Sequence, residues 1–223
     1  MIKVLTWFTR KPGLSVEEFR TYWRHEHPRV VLALPGLRAY NQNPVTGAGY
    51  AKGRQPYADG VAETWWDDLD ALHAHRGTAA LDAVMADEDH FIDPDRRHSL
   101  VVEEKVVVDG TPGPDAIKQM TWLTRRADLT PEQAHAHWWD NHGPLGAKVP
   151  GMVRYIQNHV PARAYRDGRQ PIHDGVAVAY LASLDAAREA AVSPELAATR
   201  ADEANFLDTS RLPFVVVDEI RIV

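Results

Sequence analysis

The chain of 223 residues contains no cysteine. That excludes disulfides, thiolate nucleophiles and cysteine-ligated metal. Basic surplus is missing as well. Lys and Arg number 25 against 31 Asp and Glu, for a net charge of −6, and no basic stripe interrupts the acidic total. Phosphate backbones are repelled by such a surface, so no nucleic-acid partner is expected. No apolar run approaches the ~20 residues of a membrane-spanning helix, so no membrane partner is expected either. The opening segment MIKVLTWFTRKPG lacks the apolar stretch and small-residue cleavage site of a secretory signal, which makes the cytoplasm the expected location. A phosphate-cradling glycine loop, a dinucleotide fingerprint and a nucleophile elbow are also absent, which argues against ATP, NAD and the usual hydrolase chemistry.

What the chain does have is itself, twice. Residues 2–10 (IKVLTWFTR) answer residues 117–125 (IKQMTWLTR), an offset of 115. The same offset carries Trp23 to Trp138, His27 to His142, Pro35-Gly36 to Pro150-Gly151, and Gln42-Asn43 to Gln157-Asn158. It carries Gly53-Arg54-Gln55-Pro56 to Gly168-Arg169-Gln170-Pro171, Asp59-Gly60-Val61-Ala62 to Asp174-Gly175-Val176-Ala177, Phe91 to Phe206 and Arg96 to Arg211. No gap is needed, and about a third of the aligned positions are identical, well above chance for a match of this length. Two domains are expected, 1–109 and 116–223, joined by a Gly/Pro-punctuated linker at 110–115.

Within one copy, residues 3–10 alternate and are rich in strand formers. Ser15-Val16-Glu17-Glu18 is a capping box, so a helix is expected from Ser15 to about His27, and from Thr130 to about His142 in the second copy. Strands are expected near 37–43 and 60–66, a helix over 69–87 and a last strand over 100–108. The second copy should repeat them at 152–158, 175–181, 184–202 and 214–223. The order is βαββαβ, a ferredoxin-like α+β unit. Such a sheet carries helices on one face and leaves the other apolar. The expected fold class is therefore α+β, with two tandem ferredoxin-like domains packed sheet to sheet as an intrachain α/β barrel. Fusion favours that pairing by raising the effective concentration of the second half. A homodimer of the fused barrel is a further expected partner state.

The chain resembles the EthD family of dimeric α/β-barrel proteins. The resemblance rests on Lys11-Pro12-Gly13-Leu14-Ser15 leading to Tyr22-Trp23 and His27, on Leu34-Pro35-Gly36-Leu37 with Tyr40, and on Asp59 through Glu63, Trp65, Asp87-Glu88 and Phe91. In the second copy it rests on Trp138, His142-Gly143-Pro144-Leu145, Tyr155, Asp174-Gly175, Asp202-Glu203 and Phe206. It covers nearly the whole chain, twice. It implies an association with ether degradation or aromatic polyketide tailoring. Related barrels include cofactor-free monooxygenases, isomerases, cyclases and haem proteins, and fold alone does not choose among them. His25-Glu26-His27-Pro28-Arg29 departs from the usual His-Gly-Pro-Leu of the family, and Val178 stands where the first copy has Glu63. The two pockets are thus expected to differ, with the first as the working one.

Several residues suit chemistry. His27 and His142 are placed at a helix C-terminus, which would raise an imidazole pKa and suit a general acid or base, or simply cap the helix. Asp59 reads as a turn residue or as a carboxylate that orients a histidine. Alternation puts Val61, Glu63 and Trp65 on one strand face, so Glu63 is a candidate buried base, and Tyr22 a candidate assistant. Trp23, Trp65, Tyr40, Trp138 and Tyr155 are candidate walls of a pocket for a flat apolar or aromatic ligand. Arg54 is a candidate partner for a ligand carboxylate or an exposed loop arginine. The histidine pairs 25/27 and 135/137 have the wrong helical spacing for chelation, so no metal is expected. His73 and His75 read as solvated. The expected function is a cofactor-independent small enzyme of lyase, isomerase or oxygenase type that transfers a proton on an aromatic or polyketide-like substrate. The alternatives are a haem-binding barrel or a non-catalytic binder of small apolar ligands.

Overall fold

Strand β1 (Ile2–Arg10) splits its side chains between two faces, as a period of two requires. Phe8 joins Phe19, Trp23, Phe91 and Ile92 in one buried cluster against the helices. Lys3, Leu5 and Trp7 take the opposite face and are excluded from solvent as well. The computed structural model describes residues 1–223.

Helix α1 (Val16–His25) starts where the capping box requires. Ser15 Oγ accepts from the Glu18 amide, and the Glu18 carboxylate accepts from the Ser15 amide. It ends two residues sooner than expected, because Pro28 has no amide to continue the ladder and instead opens a short helix, α2 (Pro28–Val31). Strands β2 (Leu37–Pro44) and β3 (Gly60–Trp66) fall as expected. The segment between them contains 3₁₀ turns over Gly47–Gly53. The helix expected over 69–87 is two, α3 (Leu69–His73) and α4 (Ala79–Glu88). Gly77 separates them at a φ of 69°, and Thr78 caps the second. Strand β4 (Ile92–Val108) begins eight residues before the expected start at residue 100.

The second copy repeats this plan with β5 (Ile117–Leu123), α5 (Pro131–His137), α6 (Gly143–Gly146), β6 (Met152–His159), β7 (Gly175–Leu181), α7 (Leu184–Ala191), α8 (Pro194–Glu203), β8 (Phe214–Val217) and β9 (Ile220–Arg221). The helix expected over 184–202 is again interrupted, here by Ser193-Pro194 capping a new start. Helix α5 runs into a π turn over Trp138–His142 that the first copy lacks.

The chain forms two compact units. One holds residues 1–101 with 217–223, the other residues 102–216. The first has strand order β4-β1-β3-β2-β9, the second β8-β5-β7-β6-β4. Strand β4 thus serves the first unit with its beginning and the second with its end, and the chain's last strand returns to the first unit. The register repeats with the sequence offset: Asn41 and Gln42 face Arg221 and Ile220, as Ile156 and Gln157 face Val106 and Lys105. Each unit is a ferredoxin-like α+β fold.

The repeated Asp-Gly is set by packing as well as by turning. A Cβ on Gly60 would lie 2.5 Å from Trp23 Cζ3, and one on Gly175 would lie 2.5 Å from Trp138 Cζ3. Gly60→Ala and Gly175→Ala are therefore expected to destabilise the protein by about 1–3 kcal/mol each, read as lowered urea midpoints; unchanged midpoints would refute the packing role.

Candidate active site

On the helix face of the first unit, His27 is buried between α1 and α2, with its ring edge against Phe91. Its Nδ1 lies 2.7 Å from Asp87 Oδ2, near the end of α4. Tyr22, from α1, donates its hydroxyl to the other oxygen of Asp87 at 2.8 Å. One carboxylate thus holds a phenol and an imidazole. Because the carboxylate accepts, the imidazole proton sits on Nδ1 and Nε2 presents a lone pair. That Nε2 makes no hydrogen bond, yet it is not among the atoms sealed from solvent.

The second unit repeats the arrangement with one exchange. His142 Nδ1 lies 3.0 Å from Asp202 Oδ2, and His137 takes the place of Tyr22, with Nε2 2.9 Å from Asp202 Oδ1. Asn205 adds a third donor to that carboxylate. Burial works to raise the Asp202 pKa, but the bonds from Asn205, His137 and His142 outweigh it and the carboxyl lies below its ordinary value. The His142 Nε2 is likewise unbonded and not sealed.

A helix C-terminus was expected to raise the pKa of both histidines. Instead burial lowers both, against the opposing pull of Asp87 and Asp202. They are neutral at pH 7, so Nε2 is available as a base. Burial, and then the Asp87 contact, push the Tyr22 phenol up to about 12, so it stays a donor. Asp87 and Asp202 are the members of the candidate site that residue-by-residue reasoning does not single out. Their signal was present, since Asp87-Glu88 recurs as Asp202-Glu203 at the repeat offset.

The other candidates are placed elsewhere. Glu63 is buried, as alternation required, but faces away from the helices opposite Leu5. Its carboxylate pairs with Lys3 at 2.6 Å and accepts from Asn43 at 3.0 Å. The sheet therefore separates it from His27. Trp65 shares that face, with the Lys3 ammonium 4.7 Å from its ring. Asp59 orients no histidine. It accepts from the Arg10 amide and guanidinium and from the Tyr50 hydroxyl, which locks the start of β3 to the end of β1. Asp174 does the same with Arg125 and Tyr165. Trp23 and Tyr40 are core residues bonded to each other at 3.1 Å, as are Trp138 and Tyr155 at 3.0 Å. Arg54 is exposed and ties down its own loop through the Ala51 and Ala48 carbonyls. His75 is not solvated: it is buried, 4.8 Å from the Trp66 ring, and burial lowers its pKa.

Chemically, each unit presents a neutral imidazole base oriented by a carboxylate. A histidine of this type also suits an axial metal position. Phe91 packs on the His27 ring at 4.9 Å, and behind it the rings of Phe8, Phe19, Trp23 and Phe91 pack on one another with centroids 5.0–6.1 Å apart. No three His, Asp or Glu side chains converge as metal ligands.

Fold and site together define a tandem ferredoxin-like α+β protein with a His–Asp pair in each unit. The EthD domain matches residues 11–95 and again 126–210, and the chain belongs to the EthD family. Among solved structures it is similar to an anthrone oxidase-like protein, with 13% identity over 99% of this chain and 92% of that one and a TM-score of 0.65. It is also similar to a mutant chlorite dismutase from Candidatus Nitrospira defluvii, with 12% identity, 97% and 91% coverage and a TM-score of 0.54. An EthD family protein from Bacillus halodurans matches at 17% identity, covering 47% of this chain and 99% of its own, with a TM-score of 0.39. At these identities the likeness to the first two is one of fold. Comparison with curated proteins finds no match. No helix is long and apolar enough to cross a membrane.

The second unit contains a sharper case of a buried neutral histidine. Gln157 donates to the Trp138 carbonyl, so its Oε1 accepts from His159 Nε2 at 2.9 Å, and the buried His159 Nδ1 has no partner. Burial lowers the His159 pKa to about 2. A histidine depressed in the folded state binds its proton first in the unfolded state, so stability falls as the pH drops below the unfolded value. His159 should remove about 1.4 kcal/mol per pH unit below pH ~6.5. Urea unfolding between pH 7 and 5 checks this, and His159→Gln should flatten the slope; an equal slope would reject it.

Proposed function

We propose that this protein is a small enzyme that removes a proton from an activated carbon of an aromatic or polyketide-like substrate, with His27 as the base. One observation carries the reading: a buried imidazole with Nδ1 held by a carboxylate and Nε2 unbonded and not fully sealed, formed at the same place in both copies. Asp87 fixes the tautomer and ring orientation and stabilises the imidazolium formed when Nε2 takes the proton. Tyr22 holds Asp87 in that posture with a bond that does not titrate near neutrality. The substrate keeps the electron pair as an enolate or arene-stabilised carbanion, and the imidazolium returns the proton to a carbon or a leaving oxygen. Decarboxylation, cyclisation, dehydration and oxygenation all admit such a step. His142 offers the same chemistry in the second unit. Nothing in this step needs a bound cofactor, and the free Nε2 is the one atom that favours the haem alternative.

Anthrone in D₂O is a suitable carbon-acid probe, with exchange of its methylene hydrogens followed by NMR. The protein should accelerate exchange, and His27→Ala with His142→Ala should reduce the acceleration by about a hundredfold or more. Asp87→Asn should lower the rate with little change in anthrone affinity. Because the active form is the neutral imidazole and burial lowers its pKa, the rate should be level above pH ~6.5 and fall only in more acidic solution. Full exchange in the double variant would eliminate the histidines as bases. Anthrone binding without exchange would favour the non-catalytic alternative, and a Soret band on haemin titration would favour the haem one.

A further inference from the structure

The second unit carries a cleft of about 910 Å³ whose lining includes neither His142 nor Asp202. Three arginines line it, and two of them are already committed. Arg125 spends its guanidinium on Asp174, Gln170 and the Leu129 carbonyl. Arg126 spends its own on Asp128 and the Ala204 carbonyl. Arg211 is exposed and makes neither a side-chain hydrogen bond nor an ion pair. Asp174 and Asp128 are held by those two arginines, while Asp208 accepts from the amide and hydroxyl of Ser210 and lies close enough to Arg211 for its charge to lower the Asp208 pKa. Arg211 is thus the one arginine of the cleft whose guanidinium makes no hydrogen bond, with only the charge of Asp208 drawn to it. The same cleft has apolar lining in Pro171, Leu207 and an Ile172 that is 41% exposed. The volume lies within the range of small-molecule sites, where an apolar wall supplies area and a few polar groups supply orientation. A guanidinium selects a planar carboxylate.

We propose that this cleft binds a small aromatic carboxylate, its acid group on Arg211 and its ring on Ile172 and Pro171. The site stands independently of the proton-transfer reading. The test is calorimetric titration of the full chain with benzoate, with benzyl alcohol and acetate as probes that keep only the ring or only the charge. Benzoate should bind saturably at one site per chain and more tightly than either control. Arg211→Gln should weaken it about tenfold, the loss of one charge-assisted pair. Ile172→Ser should weaken it as well. Arg96→Gln, at the same position of the first copy, should leave it unchanged, as should His142→Ala. Arg211 and Ile172 are solvent-exposed, so circular dichroism and melting of both variants should match the parent. Absence of saturable benzoate binding, undiminished binding to Arg211→Gln, equal affinity for acetate, or loss of binding in Arg96→Gln or His142→Ala would each overturn the proposal.

Discussion

The central strands of each unit are buried on both faces, and most other features of the structure answer that constraint. In the first unit Phe8 is sealed on the helix side while Lys3, Leu5 and Trp7 are sealed on the other. A strand buried twice over cannot send its polar side chains to water, so each needs a partner inside the protein. Lys3 finds Glu63, Glu63 also finds Asn43, and Trp65 faces the ammonium. On the helix side the same demand pairs Trp23 with Tyr40 and His27 with Asp87. The candidate catalytic pair is one more solution to the problem of burying a polar group. It differs from the others in keeping one nitrogen open.

Duplication then lets the two copies diverge around a common frame. What both retain is the locking of β1 to β3 through Asp59 and of β5 to β7 through Asp174, the glycine beneath each tryptophan, and the carboxylate behind each histidine. What differs is the polar company. Tyr22 becomes His137, so a phenol that never charges near neutrality is replaced by an imidazole. Glu63 becomes Val178, which removes the acid opposite the buried lysine. Pro44 becomes His159, a buried acceptor without a donor. His159, whose pKa burial lowers, thus places an acid-sensitive group where the first copy has a proline.

Much of this was legible from residue pattern. The repeat, the strand at 60–66, the capping boxes and the facing of Glu63 all follow from spacing and backbone stereochemistry, which act over a few residues. The breaks in the helices were less visible, because Gly77 and Ser193-Pro194 interrupt stretches whose other residues favour helix. Asp87 is not legible as the partner of His27 because 60 residues separate them, and only the docking of α4 against α2 brings them together. The direction of the histidine pKa shift differs from the local expectation for a related reason. A helix terminus is a local feature, whereas desolvation comes from everything packed around the ring, Phe91 included.

Local sequence was sufficient for the number of copies, the order of their elements and the alternation of faces, since each depends on interactions between near neighbours along the chain. Folding in three dimensions decided which carboxylate meets which histidine, which nitrogen stays open, and which arginine remains unspent. It also decided that strand β4 divides its length between two sheets while the chain's last strand returns to the first. These outcomes depend on desolvation and on contacts between distant segments, and neither quantity exists until the segments have packed.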